Sequence, residues 1–384
     1  MNKKIIYLSN VRLTDSVLVD YYVNSNIEKG AEVEFWDLVP LYRDDYEEKG
    51  ALDVDYLRYV KTFKEFKVLI NMPENRDAVY VMVVTYLFEY VELFKLLSEN
   101  KSKMVYTYGG AMPLTKVVSK LQRIIDHVKN GPINFFKIVF SLILFKLYRK
   151  FNLVKPFEIG FVVGESPLPF NFFAKKTVPI NSFDYDSFQK SKLSNESFVD
   201  GRYILFVDHN APYHSDNIGT GKPFPDEEIY FKSINRIIGL IEASQNLKVV
   251  IAASPKSKYG SEKYEGREFY RLMTAELTKK AELIIMPYAS NSISLAVLNY
   301  KPILFIYNDE LMKVWPSSVI EQQNIAAYLN LEVYNADLIT HGNQLVIKQP
   351  IQERYDLLKY NYLTSRESEN KTSSEIFFEE FIKL

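Results

Sequence analysis

Short apolar runs alternate with longer amphipathic stretches along most of the chain. Lys4 to Ser9 is a strand-like run that closes in the polar loop Ser9-Asn10-Val11. An amphipathic stretch from Ser16 to Lys29 ends at Gly30, and Glu32 to Trp36 reads as a second strand. Strand, helix and strand within forty residues is the pattern of a βαβ unit on a parallel sheet. Lys67–Asn71 and Lys103–Tyr108 are expected to be further strands, the second ending in Gly109-Gly110. The apolar stretch between them, Val79 to Leu97, carries a helical period with polar interruptions. Two more strand-like pieces, Glu158–Gly164 and Lys176–Ile180, precede a Ser/Asp/Lys-rich stretch from Asp184 to Asp200, which is taken as a linker.

The same alternation restarts after it. Arg202–Asp208 reads as a strand with an acid at its carboxyl end. Asp226–Ser244 reads as a helix with its apolar face at Ile229, Ile234, Ile237, Ile238 and Ile241. Lys248–Ala253 (strand), Arg267–Lys280 (helix), Glu282–Met286 (strand), Asn291–Asn299 (helix) and Pro302–Tyr307 (strand) follow. The stretch from Gln352 to Leu384 is expected to be helical, with a solvated break around Arg366–Ser374. Repeated βα units predict an α/β protein of two Rossmann-like lobes, residues 1–183 and 201–345, with parallel sheets that face each other across a cleft and bind ligands beyond the carboxyl ends of their strands. Residues 346–384 form a C-terminal helical tail in this reading.

Composition narrows the chemistry. The 384 residues suit two domains, and the 15% aromatic content supplies core mass as readily as stacking surfaces. A net charge of −1 lacks the basic excess of a nucleic-acid binder. Without cysteine there are no disulfides, thiolate metal sites or cysteine nucleophiles. The four histidines, His127, His209, His214 and His341, show no metal-ligand spacing, so no metal site and no resident cofactor is expected. MNKKIIYLSN has no apolar core or cleavage site of a signal peptide, which predicts a cytoplasmic start.

Lys116 to Val154 stands apart. It interleaves eight basic residues, among them Lys137, Lys146, Arg149 and Lys150, with the apolar run Phe135 to Phe145. Its lysines leave too few apolar residues for a membrane span, which needs roughly 20. Two readings remain open: a buried core helix, or an in-plane helix that docks on anionic lipid at the inner membrane surface.

Candidate chemistry sits where strands end. Ser290, Asn291 and Ser292 follow a strand and open a helix; as caps they satisfy the helix end, and as ligands they present donors to a phosphate. Ser254-Pro255-Lys256 ends the strand before, with Lys256 either a solvated loop lysine or a phosphate partner in the same crevice. Asp208 is the candidate base, with His209 beside it and His214 nearby on what is expected to be a half-exposed loop. The alternative for Asp208 is a turn aspartate bonded to the backbone two residues on. Asp184 and Asp186 have the letters of a metal-binding DxD but sit at the linker. Ser9, Asn10, Gly109 and Gly110 end strands of the first lobe and are assigned to acceptor contact, the alternative being ordinary turns. No GxGxxG or GxxxxGK[ST] lies at a strand–helix junction, which argues against dinucleotide enzymes and P-loop NTPases.

The run from Val249 to Ile306, with VVIAASPKSKYG, EGREFY, TAEL and YASNSISLAVLNYKPILFI, resembles the C-terminal half of GT-B glycosyltransferases of bacterial capsule and lipopolysaccharide biosynthesis. It is most similar to their sialyltransferase-like, CMP-sugar-using group, and FVDHNAPYHSDN and NSFDYDSF fit the same likeness. That group carries a His-Pro after one strand and a histidine before a Ser/Thr-rich loop; this chain has Ser254-Pro255 and Tyr288 there. The resemblance implies a GT-B fold and an inverting, metal-independent transfer of a sialic-acid-like or Kdo-like sugar from a CMP donor. The acceptor would be a surface polysaccharide or lipid-linked glycan. The donor site would comprise Ser254, Pro255, Lys256, Tyr288, Ser290, Asn291 and Ser292. The rivals are a UDP-sugar-using transferase, a sugar-nucleotide epimerase, and a non-catalytic glycan- or nucleotide-binding relative.

Overall fold

A computed structural model describes residues 3–43, 52–109, 140, 143–165, 168, 172–194, 196–214, 223–254, 256–288 and 291–384. The chain forms two compact units. The first comprises residues 1–110, 118–183 and 364–384, and the second 111–117 and 184–363.

The first unit is built on seven strands: β1 (Lys4–Ser9), β2 (Glu32–Asp37), β3 (Leu57–Tyr59), β4 (Val79–Met82), β5 (Lys103–Tyr108), β6 (Phe157–Val163) and β7 (Ala174–Ile180). They lie in the order β3-β2-β1-β4-β5-β6-β7, and every pairing is parallel. β1 shows why its apolar run is continuous. Ile5 and Tyr7 enter the core on one face of the sheet, while Ile6 and Leu8 enter that on the other, so a period of two is present but both phases are buried.

The second unit repeats the plan with six strands: β8 (Tyr203–Val207), β9 (Lys248–Ala253), β10 (Phe269–Arg271), β11 (Leu283–Met286), β12 (Ile303–Tyr307) and β13 (Val333–Asn335). Their order is β10-β9-β8-β11-β12-β13, again parallel throughout. In β8, Leu205 and Val207 face one core and Ile204 and Phe206 the other. Each unit thus has the doubly wound order in which the chain leaves the first strand toward one edge and the fourth toward the other.

Several expected elements differ. Lys67–Asn71 is the end of a helix, Phe63–Asn71, and no strand. Thr62 caps it by accepting from the Glu65 amide at 3.1 Å, and Phe66, Leu69 and Ile70 point inward at a helical spacing that a five-residue window hides. Val79–Leu97 divides into buried β4 and the helix Val91–Glu99; a strand buried on both faces carries no period of its own, and the helical period belongs to the later half. Arg267–Lys280 divides likewise into the edge strand β10 and the helix Thr274–Lys280. In the helix Glu227–Gln245, Ile229 is 52% exposed and Tyr230 and Phe231 take the inward positions.

The polar stretch 184–200, expected as a linker, is helical over Phe183–Leu193, where Tyr185 and Phe188 enter the second unit's core. The C-terminal stretch also parts in two. Helix Gln352–Leu358 buries Tyr355 and Leu358 in the second unit, whereas helix Ser373–Phe381 buries Ile376, Phe377 and Phe381 in the first. The break between them is solvated only in part: Arg366, Glu367, Asn370 and Lys371 are exposed, whereas Ser368 and Ser373 are buried, and Asn181 donates to the carbonyls of Ser368 and Lys371 while accepting from Thr364 at 2.6 Å. Among the described residues, no helix is long and apolar enough to cross a membrane.

Candidate functional site

In the second unit the strand order reverses between β8 and β11, the position at which open parallel α/β sheets generally bind ligands. The loops that follow these two strands touch. The His209 and His214 rings stand 5.7 and 6.0 Å from that of Tyr288, and Trp315 joins them at 5.6 Å from Tyr288 and 5.9 Å from His214. Tyr288 is held by Ser318, whose hydroxyl donates to its oxygen at 2.9 Å; Trp315 is held by its indole N–H on the Pro223 carbonyl at 3.1 Å. The sequence reading thus placed His209, His214 and Tyr288 in regions that do converge, and it missed Trp315, which lies outside any strand-end loop it considered.

Asp208 extends the central strand by one residue, its amide donating to the Ala252 carbonyl at 2.9 Å. The carboxylate expected on a half-exposed loop is in fact 2% exposed. Tyr259, from the loop after β9, donates its hydroxyl to both oxygens, at 3.0 and 2.9 Å, and the Asn210 amide donates to Oδ1 at 2.9 Å. The Asn210 bond is the turn-aspartate geometry, and it carries Asn210 into the left-handed region at φ 55°. Burial raises the Asp208 pKa above the ordinary carboxylate value, and the hydrogen bonds from the Asn210 amide and the Tyr259 hydroxyl oppose the shift. The Tyr259 and Tyr264 phenols are themselves pushed far up by burial and by the nearby Asp208 charge, so both stay neutral. No periodicity or motif marks these tyrosines; they meet Asp208 only because β9 lies beside β8.

His209 is 9% exposed, and desolvation, helped by the neighbouring His214, pushes its pKa down to about 3. It is a neutral imidazole at working pH. Its Nε2 has no hydrogen-bond partner among the described residues, and neither has the Oδ1 of buried Asn210. Other buried atoms, such as Asn75 Oδ1, Asn308 Nδ2 and Gln322 Oε1, are also unpaired among the described residues, so what makes His209 and Asn210 a candidate site is that their orphans fall on consecutive residues at the strand-order reversal.

The other predicted donor-site residues are placed as follows. Ser254 and Lys256 form a tight turn, with the Lys256 amide donating to Ser254 Oγ at 3.3 Å and the Ser257 hydroxyl to the Ser254 carbonyl at 2.8 Å. Asn210 ties this turn to the β8 loop through the Lys256 carbonyl at 3.4 Å. Ser292 starts the helix Ile293–Leu298 without a side-chain cap, and Asn291 accepts from the Ser294 amide at 2.9 Å. The helix is only six residues long, so its dipole is short. Pro255 and Ser290 lie outside the described residues. Asp184 accepts from the buried Ser294 hydroxyl at 2.7 Å, and burial raises its pKa; it ties two helices of the second unit together. Asp186 is half-buried on the same helix.

In the first unit the reversal lies between β1 and β4. Ser9 there is wholly buried and closes a local turn, its hydroxyl donating to the Val11 carbonyl at 2.7 Å. Asn10 donates to the Tyr90 hydroxyl at 2.7 Å. Gly109 follows β5 against the Phe183 ring, where an added Cβ would sit 3.1 Å from the nearest ring carbon. Gly110 lies outside the described residues.

No family model and no curated protein matches the chain. Solved structures do. The calicheamicin glycosyltransferase CalG4 superposes with a TM-score of 0.51 at 9% identity, covering 100% of this chain and 98% of its own. The fold is GT-B. SnogD, a glycosyltransferase from Streptomyces nogalater, matches at a TM-score of 0.48 and 9% identity, covering 100% of both chains. A variant of the wall teichoic acid polymerase TagF matches at 0.48 and 10% identity, over 100% of this chain and 89% of that one. At such identities the likeness is one of fold.

Proposed function

We propose that this GT-B chain is an inverting glycosyltransferase, with the nucleotide-sugar donor bound by the second unit at the β8–β11 reversal and the acceptor by the first unit. The observation that carries the reading is the pair of orphaned buried atoms, His209 Nε2 and Asn210 Oδ1, at the carboxyl end of the central strand. In the proposed reaction the acceptor hydroxyl gives its proton to neutral His209 as its oxygen bonds the anomeric carbon. The bond from that carbon to the nucleotide phosphate breaks, and its electron pair leaves with the phosphate. The departing anion stabilises the imidazolium, raising a pKa that burial, helped by His214, holds down. Asp208, with both oxygens engaged, serves as the positioning residue that sets the His209–Asn210 turn.

The leading donor is a CMP-activated sialic-acid-like or Kdo-like sugar, and the acceptor a surface polysaccharide or lipid-linked glycan, both on the sequence resemblance. Calorimetry and thermal shift against CMP, UDP, GDP and their sugar conjugates test this. Selective CMP binding that is lost in His209→Ala is the expected result. A UDP or GDP preference replaces the donor, and binding of none overturns the transferase reading. The last outcome would favour a non-catalytic relative, a second reading supported by Ser254 and Tyr288 standing where the similar group has histidines.

A further inference from the structure

Every polar atom of Asn210 but one is engaged within the fold. Its backbone amide donates to Asp208 Oδ1 at 2.9 Å, and its carbonyl accepts from the Tyr213 amide at 2.9 Å. Nδ2 donates to the carbonyls of Tyr213 at 3.3 Å and Lys256 at 3.4 Å. Those two carbonyls set which way the side-chain amide faces, because a flipped amide would put oxygen against oxygen. That leaves Oδ1, on a residue 3% exposed, with no partner among the described residues. An amide oxygen only accepts, so the group that pairs with it must carry a hydrogen.

That requirement sorts the parts of a nucleotide sugar. A phosphate oxygen brings only lone pairs and negative charge, which Oδ1 repels, whereas a sugar hydroxyl brings the hydrogen. Position in the chain agrees. Asn210 follows His209, the proposed base, which has to stand beside the anomeric carbon and therefore beside the transferred sugar. We infer, on the transferase reading, that Asn210 is a specificity-determining residue whose Oδ1 accepts from one hydroxyl of the donor sugar, while the phosphates bind away from it. A site built to meet one hydroxyl rejects an analogue that lacks it, because the buried amide oxygen is then left unpaired.

Calorimetry on the full chain tests this. The probes are CMP-N-acetylneuraminic acid, UDP-glucose and GDP-mannose, their free nucleotides, and analogues of each sugar with one hydroxyl at a time replaced by hydrogen or fluorine. For the nucleotide sugar that binds, one position is expected to stand out. Replacement there should weaken binding roughly 10- to 100-fold, with fluorine as poor as hydrogen because neither donates. Asn210→Gly, which tolerates the left-handed backbone at φ 55°, should erase that discrimination and leave free-nucleotide affinity unchanged. Discrimination that survives in Asn210→Gly overturns the assignment. So does a fluorine analogue that binds like the hydroxyl, since the protein group would then be a donor. Equal weakening of nucleotide sugar and free nucleotide by Asn210→Gly also overturns it. Should that variant not fold, the hydrogen and fluorine series on the parent chain decides. Nucleotide binding without discrimination at any hydroxyl sinks the Asn210 assignment alone, whereas binding of no nucleotide or nucleotide sugar sinks the transferase reading together with it.

Discussion

The two units share one strand order, with the reversal beside the first strand in each, yet the residues at the two reversals behave differently. In the first unit, Ser9 closes its own turn on Val11 and Asn10 is met by Tyr90, although the buried Tyr42 hydroxyl beside Tyr90 is unpaired among the described residues. In the second, both Asp208 oxygens accept from Tyr259, while His209 Nε2 and Asn210 Oδ1 have no partner among the described residues. Equal architecture therefore does not make equal sites. What distinguishes them is the hydrogen bonding of the residues that directly follow the first strand, which is the ground on which the donor is proposed to bind the second unit.

The contrast breaks most readily at His209. His209→Ala should lower transfer by about 100-fold or more while leaving the fold intact, and Asn10→Ala should change acceptor KM at most a few-fold without affecting nucleotide binding. Steady-state kinetics with varied donor and acceptor reads both. An Asn10 variant that loses nucleotide binding would erase the proposed division of labour.

Stability sharpens it next. Tyr259→Phe removes the donor that both Asp208 oxygens share and leaves a buried carboxylate under-bonded, an expected cost of about 1–3 kcal/mol in denaturant unfolding. Tyr90→Phe, at a half-buried contact, should cost less. The Tyr259 variant should show a lower kcat through a displaced His209 turn, and Asp208→Asn should recover part of its stability.

The narrowest test, confined to the acid range, is pH dependence. A histidine whose pKa falls to about 3 on folding gives stability that is fully present above its unfolded pKa and is lost as pH falls from there toward 3. Within that window His209 should contribute a slope of up to about 1.4 kcal/mol per pH unit, and His209→Gln should flatten it. Asp208 acts in the opposite sense. Its raised pKa favours the protonated form in the folded state, so its cost grows as pH rises from the unfolded carboxylate value through the folded one. Unfolding midpoints of the two variants across the acid range separate the contributions.

How much of this was readable from the chain follows a physical line. Amphipathic period and apolar runs located β1, β5, β8, β9, β11 and β12 to within a residue or two, because burial of both sheet faces demands unbroken apolar stretches. They misassigned Phe63–Asn71 and merged β4 with its following helix, because short windows do not separate a period of two from one of 3.6 when nearly every position is buried. The three-residue edge strands β3, β10 and β13 were too short to carry any pattern.

The order of elements by itself determined the fold class and which loops would gather at strand ends, since parallel strands must all send their carboxyl termini to one edge of the sheet. It also named His209 and Asp208 as candidates from residue type and position alone. Only the tertiary structure decided their states. Whether a carboxylate is a reactive group or an anchored one depends on what lies across from it, and Tyr259, fifty-one residues on, reaches Asp208 because β9 pairs with β8. The same holds for the helix of residues 143–150: its composition was ambiguous, and the packing of Phe145 on Tyr86 decided which of its apolar sides is buried.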